Sequence, residues 1–505
     1  MTHELTMQET PSVRRDNFVL FAIAAALALV HVLTNGRYGF HRDELQTLTD
    51  ALHMEWGFVA YPPFTPFLEK IGMSIFGISL VGLRMFSVIA QSAAVIVTGL
   101  MARELGGARL AQVAAALAVT FAPLAMFEGT EFQYSSFDYL WWTLIAYFVI
   151  RLLKSDDPRW CVAVGATLGF GFMTKYSIGF YLAGIIGGLA LTQARKFLLS
   201  GWFWAGVTLT ALICMPNVIW QVRHGLVSLH FLQFIHARDV RQGRAQGFLT
   251  GQLWLCTNVF SVPLWFGGLI AYFRDRKFRM LGWMYVIPLA LFVVGKGRNY
   301  YLAGAYPMLM AMGGAAGERW VTGLARGWRW AVEGVYFTGL TAYGLLLGAI
   351  LVPVAASGPL RDFALKNNGD LREEFGWEEL VAQVAAIRDS LPAAQREGAR
   401  VLVGNYGEGG AIDVFGRKYR LGPPIMVTNS GWYRSFPTTP PSALIVLGWS
   451  QRRVDEAFVG CRVAGKNANP YGVKNEESED HPDIFVCDGV KGTWEEFWRQ
   501  NQWYG

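Results

Sequence analysis

Residues 18–33 read FVLFAIAAALALVHVL, with no charged residue and with Arg14 and Arg15 just ahead. Such a run approaches the ~20 apolar residues that cross the ~30 Å hydrocarbon core of a bilayer. A signal peptide shares the basic start and the apolar stretch, but no small-x-small cleavage site follows here. We read the run as a retained first transmembrane helix that starts in the cytoplasm.

Ten more apolar runs follow, beginning near Leu80, Leu110, Tyr134, Trp160, Tyr176, Gly201, Phe248, Met280, Tyr300 and Trp328. The expectation is a polytopic α-helical membrane protein of about 11 helices. The runs near Trp160 and Tyr176 are short and close together, so a single re-entrant hairpin is an alternative for that pair. Of the 505 residues, 53% are hydrophobic and 16% charged, with mean hydropathy +0.28. Ordinary soluble domains carry about 25% charged residues. These values exclude a plain soluble enzyme and a chain that is all membrane. The 14% aromatic content excludes disorder over most of the length.

Charge distribution orients the chain. The turns expected in the cytoplasm hold sixteen basic residues, among them Arg103, Arg109, Arg151, Lys154, Arg274, Arg276, Lys277 and Arg279. Short turns rich in Lys and Arg belong inside. The net charge of +6 therefore reads as a topology signal, and no nucleic-acid partner is implied. An odd number of crossings from a cytoplasmic start puts the C-terminal part outside.

Near residue 358 the apolar runs shorten and charges rise. Residues 1–357 read as the membrane domain and 358–505 as a soluble α/β domain on the extracytoplasmic side. Trp377 to Ser390 has the period of an amphipathic helix. Arg400 to Gly404, Ala443 to Gly448 and Asp483 to Cys487 read as strands. Cys461 and Cys487 are the two cysteines of this polar part. Outside the cytoplasm they could be joined, and two free thiols are the alternative.

Candidate chemistry gathers at the outer face. The first long external loop, 34–79, carries Tyr38-Gly39-Phe40-His41-Arg42-Asp43-Glu44. Asp43 suits a helix N-cap with Gln46 three residues on, and such a cap can also be a general base. Leu45, Leu48, Leu52 and Trp56 then fall on one face of a helix expected to lie in the membrane interface. The loop ends in Tyr61-Pro62-Pro63-Phe64-Thr65-Pro66, whose prolines impose a stiff extended path. Glu128 and Glu131 occupy the next external turn, and Asp138 lies just inside the following helix, where a carboxylate is costly and functional by default. Asp43, Glu128 and Glu131 are candidates for a divalent cation, magnesium or manganese, with pairing to external basic residues as the plainer alternative. No other cofactor is indicated. Lys175, Lys296 and Arg298 sit in short external turns against the positive-inside tendency. They suit phosphate binding, with snorkelling to the interface as the plainer alternative.

Taken together, Phe40-His41-Arg42-Asp43-Glu44, Trp56-Gly57-Phe58 and Tyr61-Pro62-Pro63-Phe64-Thr65-Pro66 resemble the first external loop of bacterial glycosyltransferase family 39-like proteins. These are relatives of the dolichyl-phosphate-mannose protein mannosyltransferases and of the lipid A aminoarabinose transferases, and they share the GT-C membrane fold. Ser136-Phe137-Asp138, Met173-Thr174-Lys175-Tyr176 and Arg298-Asn299-Tyr300-Tyr301-Leu302 extend the resemblance over roughly residues 18 to 310. It implies an inverting transfer of a sugar, hexosyl or pentosyl, from a polyprenyl-phosphate donor to a hydroxyl on a protein, glycolipid or polysaccharide. The site would be a bacterial inner membrane, facing the periplasm. Asp43, Glu44 and Asp138 would be catalytic. Lys175, Lys296 and Arg298 would meet the donor phosphate, and His41, Arg42, Tyr61, Tyr300 and Tyr301 would position substrate. Several relatives have a lysine just before the paired prolines. Tyr61 stands there in this chain, so phosphate contacts would have to come from elsewhere, which lowers the expectation of lipid A modification. Asn405-Tyr406-Gly407-Glu408 is the best-matching piece of the tail. The rival readings are a lipid-linked sugar transporter or flippase, a polymerase or ligase with lipid-diphosphate donors, and a non-catalytic assembly subunit.

Overall fold

The computed structural model describes residues 11–505. Its membrane part is a succession of helices: α1 (Pro11–Thr34), α2 (Arg42–Leu52), α3 (Phe64–Phe76), α4 (Leu80–Glu104), α5 (Arg109–Thr120), α6 (Pro123–Glu128), α7 (Tyr134–Ser155), α8 (Trp160–Phe172), α9 (Ile178–Leu191), α10 (Gly201–Arg223), α11 (Val227–Arg241), α12 (Phe248–Trp254), α13 (Val262–Arg274), α14 (Arg279–Val294), α15 (Tyr306–Thr322) and α16 (Arg326–Leu351). All eleven apolar runs are helical. By length and composition, five described helices can cross a bilayer: α1, α4, α7, α10 and α16. Two bent pairs, Ile178–Leu191 with Gln193–Leu199 and Phe248–Trp254 with Val259–Arg274, raise that to seven. Helix α5 has 12 residues, so at ~1.5 Å per residue it is shorter than the ~30 Å core.

Burial separates inner helices from outer ones. In α15, Met308 to Ala311 are fully buried and every residue from Tyr306 to Ala315 is buried, so this part of the helix has no outward face. Helices α10 and α16 present Trp202, Trp204, Val222, Trp328, Trp330 and Leu345 outward. Apolar surface of that extent needs lipid to cover it. Glycines set the closest helix crossings. A Cβ on Gly313 would run into the backbone carbonyl of Leu264, and one on Gly165 into that of Gly206, so α13 with α15 and α8 with α10 meet backbone to backbone.

Beyond α16 come α17 (Pro359–Asn367), α18 (Trp377–Asp389) and seven strands: β1 (Ala399–Val403), β2 (Ile425–Met426), β3 (Ala443–Leu447), β4 (Phe458–Val459), β5 (Arg462–Lys466), β6 (Asp483–Cys487) and β7 (Gly489–Val490). The main sheet runs β2-β1-β3-β6-β5, with β1 parallel to β2 and β3, and β6 antiparallel to its neighbours. Alternation sends Val401, Val403, Ile445 and Val486 to one face and Leu402, Leu444, Val446 and Phe485 to the other. Cys461 and Cys487 form a disulfide.

The first of those faces does not close on the soluble domain alone. Its core includes Leu45 and Leu48 of α2 and Leu83 of α4. Helix α2 was expected to lie in the membrane interface. It is instead enclosed, with Glu44, Gln46, Thr47, Thr49 and Asp50 buried along with its leucines. The reason is that its polar face also finds protein partners: Tyr61 and Arg434 for Asp50, Arg84 of α4 for Glu44, and Asp413 of the helix Tyr406–Phe415 for Thr49. A Cβ on Gly410 of that helix would strike the carbonyl of Leu45.

Candidate active site

The cap of α2 fixes the orientation of the acidic pair. His41 is the N-cap: its Nδ1 accepts the Asp43 backbone N–H at 3.2 Å, and its own backbone N–H donates to Glu44 Oε2 at 2.8 Å. The capping box is thus His41 with Glu44, and the expected cap of Asp43 with Gln46 is corrected. Released from capping, the Asp43 carboxylate lines a cavity of about 400 Å³. Its Oδ1 accepts the Tyr406 hydroxyl at 2.8 Å, and its Oδ2 accepts the Gln133 amide at 3.3 Å.

The cavity is also lined by Lys175, Lys296, Arg298 and Arg238. Lys175 Nζ lies over the rings of Tyr134, Tyr300 and Tyr301, at 5.0, 5.1 and 4.8 Å from their centroids. Such faces hold an ammonium without neutralising it. Among the described residues, Lys175 has no ion-pair partner. Arg298 grips Asp239 of α11 in bidentate fashion at 2.6 and 3.0 Å, and its Nη1 donates to the Tyr300 hydroxyl at 3.3 Å. Asp239 also faces Arg238 at 3.9 Å and Arg244 at 3.7 Å. Asp43 and Asp239 against Lys175, Lys296, Arg238 and Arg298 still leave an excess of positive charge in the lining, which suits an anionic ligand.

Stiffness comes from clamps on the proline loop. Asn217 Nδ2 donates to the Trp56 carbonyl and Ser228 Oγ to that of Phe58, both at 2.9 Å. Ser430 Oγ of the soluble domain accepts the Val59 N–H at 3.0 Å.

Comparison with known proteins fits this arrangement. A family model described as dolichyl-phosphate-mannose-protein mannosyltransferase matches residues 60–220. An undecaprenyl phosphate-alpha-4-amino-4-deoxy-L-arabinose arabinosyl transferase of Pseudomonas fluorescens is 28% identical over 279 residues, 51% of this chain and 49% of that protein. Its namesake from Pseudomonas savastanoi is 28% identical over 312 residues, 56% of each chain. The chain spans about half the length of the curated relatives it matches. ArnT from Cupriavidus metallidurans, solved bound to undecaprenyl phosphate, is similar with a TM-score of 0.57 at 16% identity, over 93% of this chain and 98% of that one. An oligosaccharyltransferase from Archaeoglobus fulgidus gives 0.52 at 13%, over 81% and 64%. The chain has the GT-C fold of these solved proteins.

Within this GT-C frame the expected residues separate. Asp43, Tyr61, Lys175, Lys296, Arg298 and Tyr301 line the cavity, and Tyr300 braces Lys175 and Arg298 beside it. Four other residues expected to be catalytic or to position substrate do not line it either. Glu44 is buried and spends both oxygens on four donors: Arg84 Nε and Nη2, and the backbone N–H groups of His41 and Phe132. His41 is buried as the cap, against the expectation that it positions substrate. Arg42 is engaged by Glu476 and Glu477 and lies over the Tyr406 ring. Asp138 is buried and accepts from Trp142 Nε1 at 3.1 Å. The three cation candidates are not brought together as one group among the described residues. Glu131 accepts from Gln133 at 2.6 Å and Glu128 from Ser136 at 3.1 Å. Among the described residues no group of three or more His, Cys, Asp or Glu could hold a metal. Burial pushes the Glu128 carboxyl up to about 7, with Ser135, Lys175 and Ser136 opposing.

Tyr61 hydrogen-bonds Asp50 at 2.8 Å and packs 5.7 Å from the Tyr134 ring. Its hydroxyl is therefore committed to protein. Residues that sequence reasoning missed are Arg238 and Asp239 of α11, and Gln133. The one signal for them was an aspartate set inside a basic string, Arg238-Asp239-Val240-Arg241.

Proposed function

We propose that this GT-C protein is an inverting glycosyltransferase that moves a sugar from a polyprenyl-phosphate donor to a hydroxyl acceptor. It acts at the extracytoplasmic face of a bacterial inner membrane. The observation that carries the reading is a single cavity that joins the Asp43 carboxylate to the cations Lys175, Lys296, Arg298 and Arg238. Asp43 takes the proton of the acceptor hydroxyl as its oxygen bonds to the anomeric carbon. The bond from that carbon to the phosphate oxygen breaks, and polyprenyl phosphate leaves with one more negative charge than it had in the donor. The excess cations favour that developing charge over the ground state, the kind of interaction that accelerates a reaction. A one-step displacement needs no covalent sugar–enzyme intermediate, so one base suffices and Glu44 is free to be structural.

A second, apolar cavity of about 580 Å³ lies among α7, α8, α9, α10 and α14, and Tyr176 lines both cavities. This adjacency suits a donor with an isoprenoid chain on one side of its phosphate and a sugar on the other. The acceptor is a protein, glycolipid or polysaccharide of the cell envelope. The committed Tyr61 hydroxyl, where several relatives have lysine, weighs against lipid A. A cytoplasmic N-terminus, about eleven crossings and an external soluble domain agree with the basic turns. The Cys461–Cys487 bond agrees with an oxidising compartment.

The test is transfer from radiolabelled polyprenyl-phosphate sugars by purified Asp43→Asn. Loss of a positioned general base costs roughly 10²–10⁴-fold. Near-normal transfer by the folded variant would overturn the assignment.

A further inference from the structure

The soluble domain lends Tyr406, Asn429 and Gly505 to the cavity lining, and Tyr406 is the one that hydrogen-bonds Asp43. Tyr406 begins the helix Tyr406–Phe415, which Asn405 caps by accepting the Glu408 N–H at 2.9 Å. That cap aims the Tyr406 hydroxyl out of the soluble domain, and it donates to Asp43 Oδ1 at 2.8 Å. The ring is held as firmly as the hydroxyl. The Arg42 guanidinium covers it at 4.8 Å, and Arg42 is itself held by Glu476 and Glu477. The other Asp43 oxygen receives the Gln133 amide from the turn before α7. The carboxylate thus has one donor on each oxygen, one from the membrane domain and one from the soluble domain. Two such donors fix the plane of a carboxylate and leave lone pairs free for a third partner. Burial keeps the proton on Tyr406, so the phenol stays a donor.

We infer that Tyr406 is a positioning residue for Asp43, so that the soluble domain completes the catalytic centre. The inference rests on the reading of Asp43 as the base. The domain then has a role in the chemical step that is separate from any grip on the acceptor. An acceptor-binding module would alter KM, whereas a residue that sets the angle of the base alters kcat.

The experiment compares full-length wild type, Tyr406→Phe and Asp43→Asn in detergent, with a radiolabelled polyprenyl-phosphate sugar as donor. Phenylalanine keeps the ring under Arg42 and removes the hydroxyl alone. A hydrogen bond to a charged group has the strength to cost about 10- to 100-fold in rate when it acts on the transition state. The expected result is a fall of that size in kcat with KM for donor and acceptor unchanged. Wild-type kcat in Tyr406→Phe overturns the inference, and so does a rise in KM at unchanged kcat, which would mark a substrate contact. If Tyr406→Phe fails to fold, 3-fluorotyrosine placed at 406 keeps the hydroxyl and changes its acidity. A shift in kcat at constant KM then supports the inference, and indifference overturns it. If Asp43→Asn transfers normally, the base assignment falls. If that variant is inactive while Tyr406→Phe is unaffected, only the role of Tyr406 falls.

Discussion

Arg84 is fully buried and faces two carboxylates, Glu44 and Glu374, with one positive charge. The structure makes the two unequal. Glu44 has four donors, at 2.7 to 2.8 Å. Glu374 has the Arg84 guanidinium at 3.3 Å, and its Oε1 has no partner among the described residues. Burial therefore pushes the Glu374 carboxyl up from 4.5 to about 8, with Arg84 pulling it down and Glu44 adding to the rise. Two substitutions by glutamine should then differ sharply. Glu374→Gln imitates the protonated acid and is expected to cost less than ~1 kcal/mol near pH 7. Glu44→Gln breaks the main buried ion pair and weakens the cap of α2, with an expected cost of about 3–5 kcal/mol. The pH dependence has a definite sign. A carboxyl whose pKa is raised by folding stabilises the protein fully below the unfolded value of 4.5, and that stability is lost as pH rises through about 8. The slope in that window is up to about 1.4 kcal/mol per pH unit. Glu374→Gln removes this contribution, so its melting temperature should fall less than wild type between about pH 5 and 8. Thermal unfolding of detergent-solubilised protein, followed by tryptophan fluorescence across pH, measures both effects. Equal destabilisation by the two substitutions, or a Glu374→Gln pH profile that matches wild type, would refute the reasoning.

Lys175→Met removes a cation and keeps a chain that fits between the three tyrosines; transfer is expected to fall by about 10²-fold or more, with the fold retained. Steady-state kinetics beside a melting curve would check this, and near-normal transfer would take Lys175 out of the phosphate site. Gly313→Val forces a side chain into the Leu264 carbonyl. It should abolish monodisperse protein in size-exclusion chromatography, and a normal elution profile would count against the close α13–α15 crossing.

Several elements were legible because burial writes a period into the chain. The strand expected at Asp483 to Cys487 has those bounds, and the helix expected from Trp377 ends one residue early. Each apolar run proved helical, yet α5 and α8 are too short to be recognised as full spans by length alone. The cap of α2 escaped because a histidine ring nitrogen can do the work of an aspartate oxygen, and local pattern does not decide between them. Partners separated widely in the chain left no trace. Arg84 meets Glu374 across 290 positions, and Asp43 meets Tyr406 across 363. Nothing in either local stretch announces its complement. Arg298 was legible as an external base, but its bidentate pairing with Asp239 depends on α11 folding back over the turn after α14.

The shared core beneath the sheet bears on how this chain can be cut, swapped or diversified. Composition changes near residue 358, and a designer would be tempted to exchange the tail there. Leu45 and Leu48 are packed under the sheet, Glu374 reaches down to Arg84, and Tyr406 reaches Asp43. A graft made at the compositional seam would leave behind half of the surface on which the tail is seated. The exchangeable unit is discontinuous: residues 34–84 have to travel with the tail, and sequence drift in one should be answered by drift in the other.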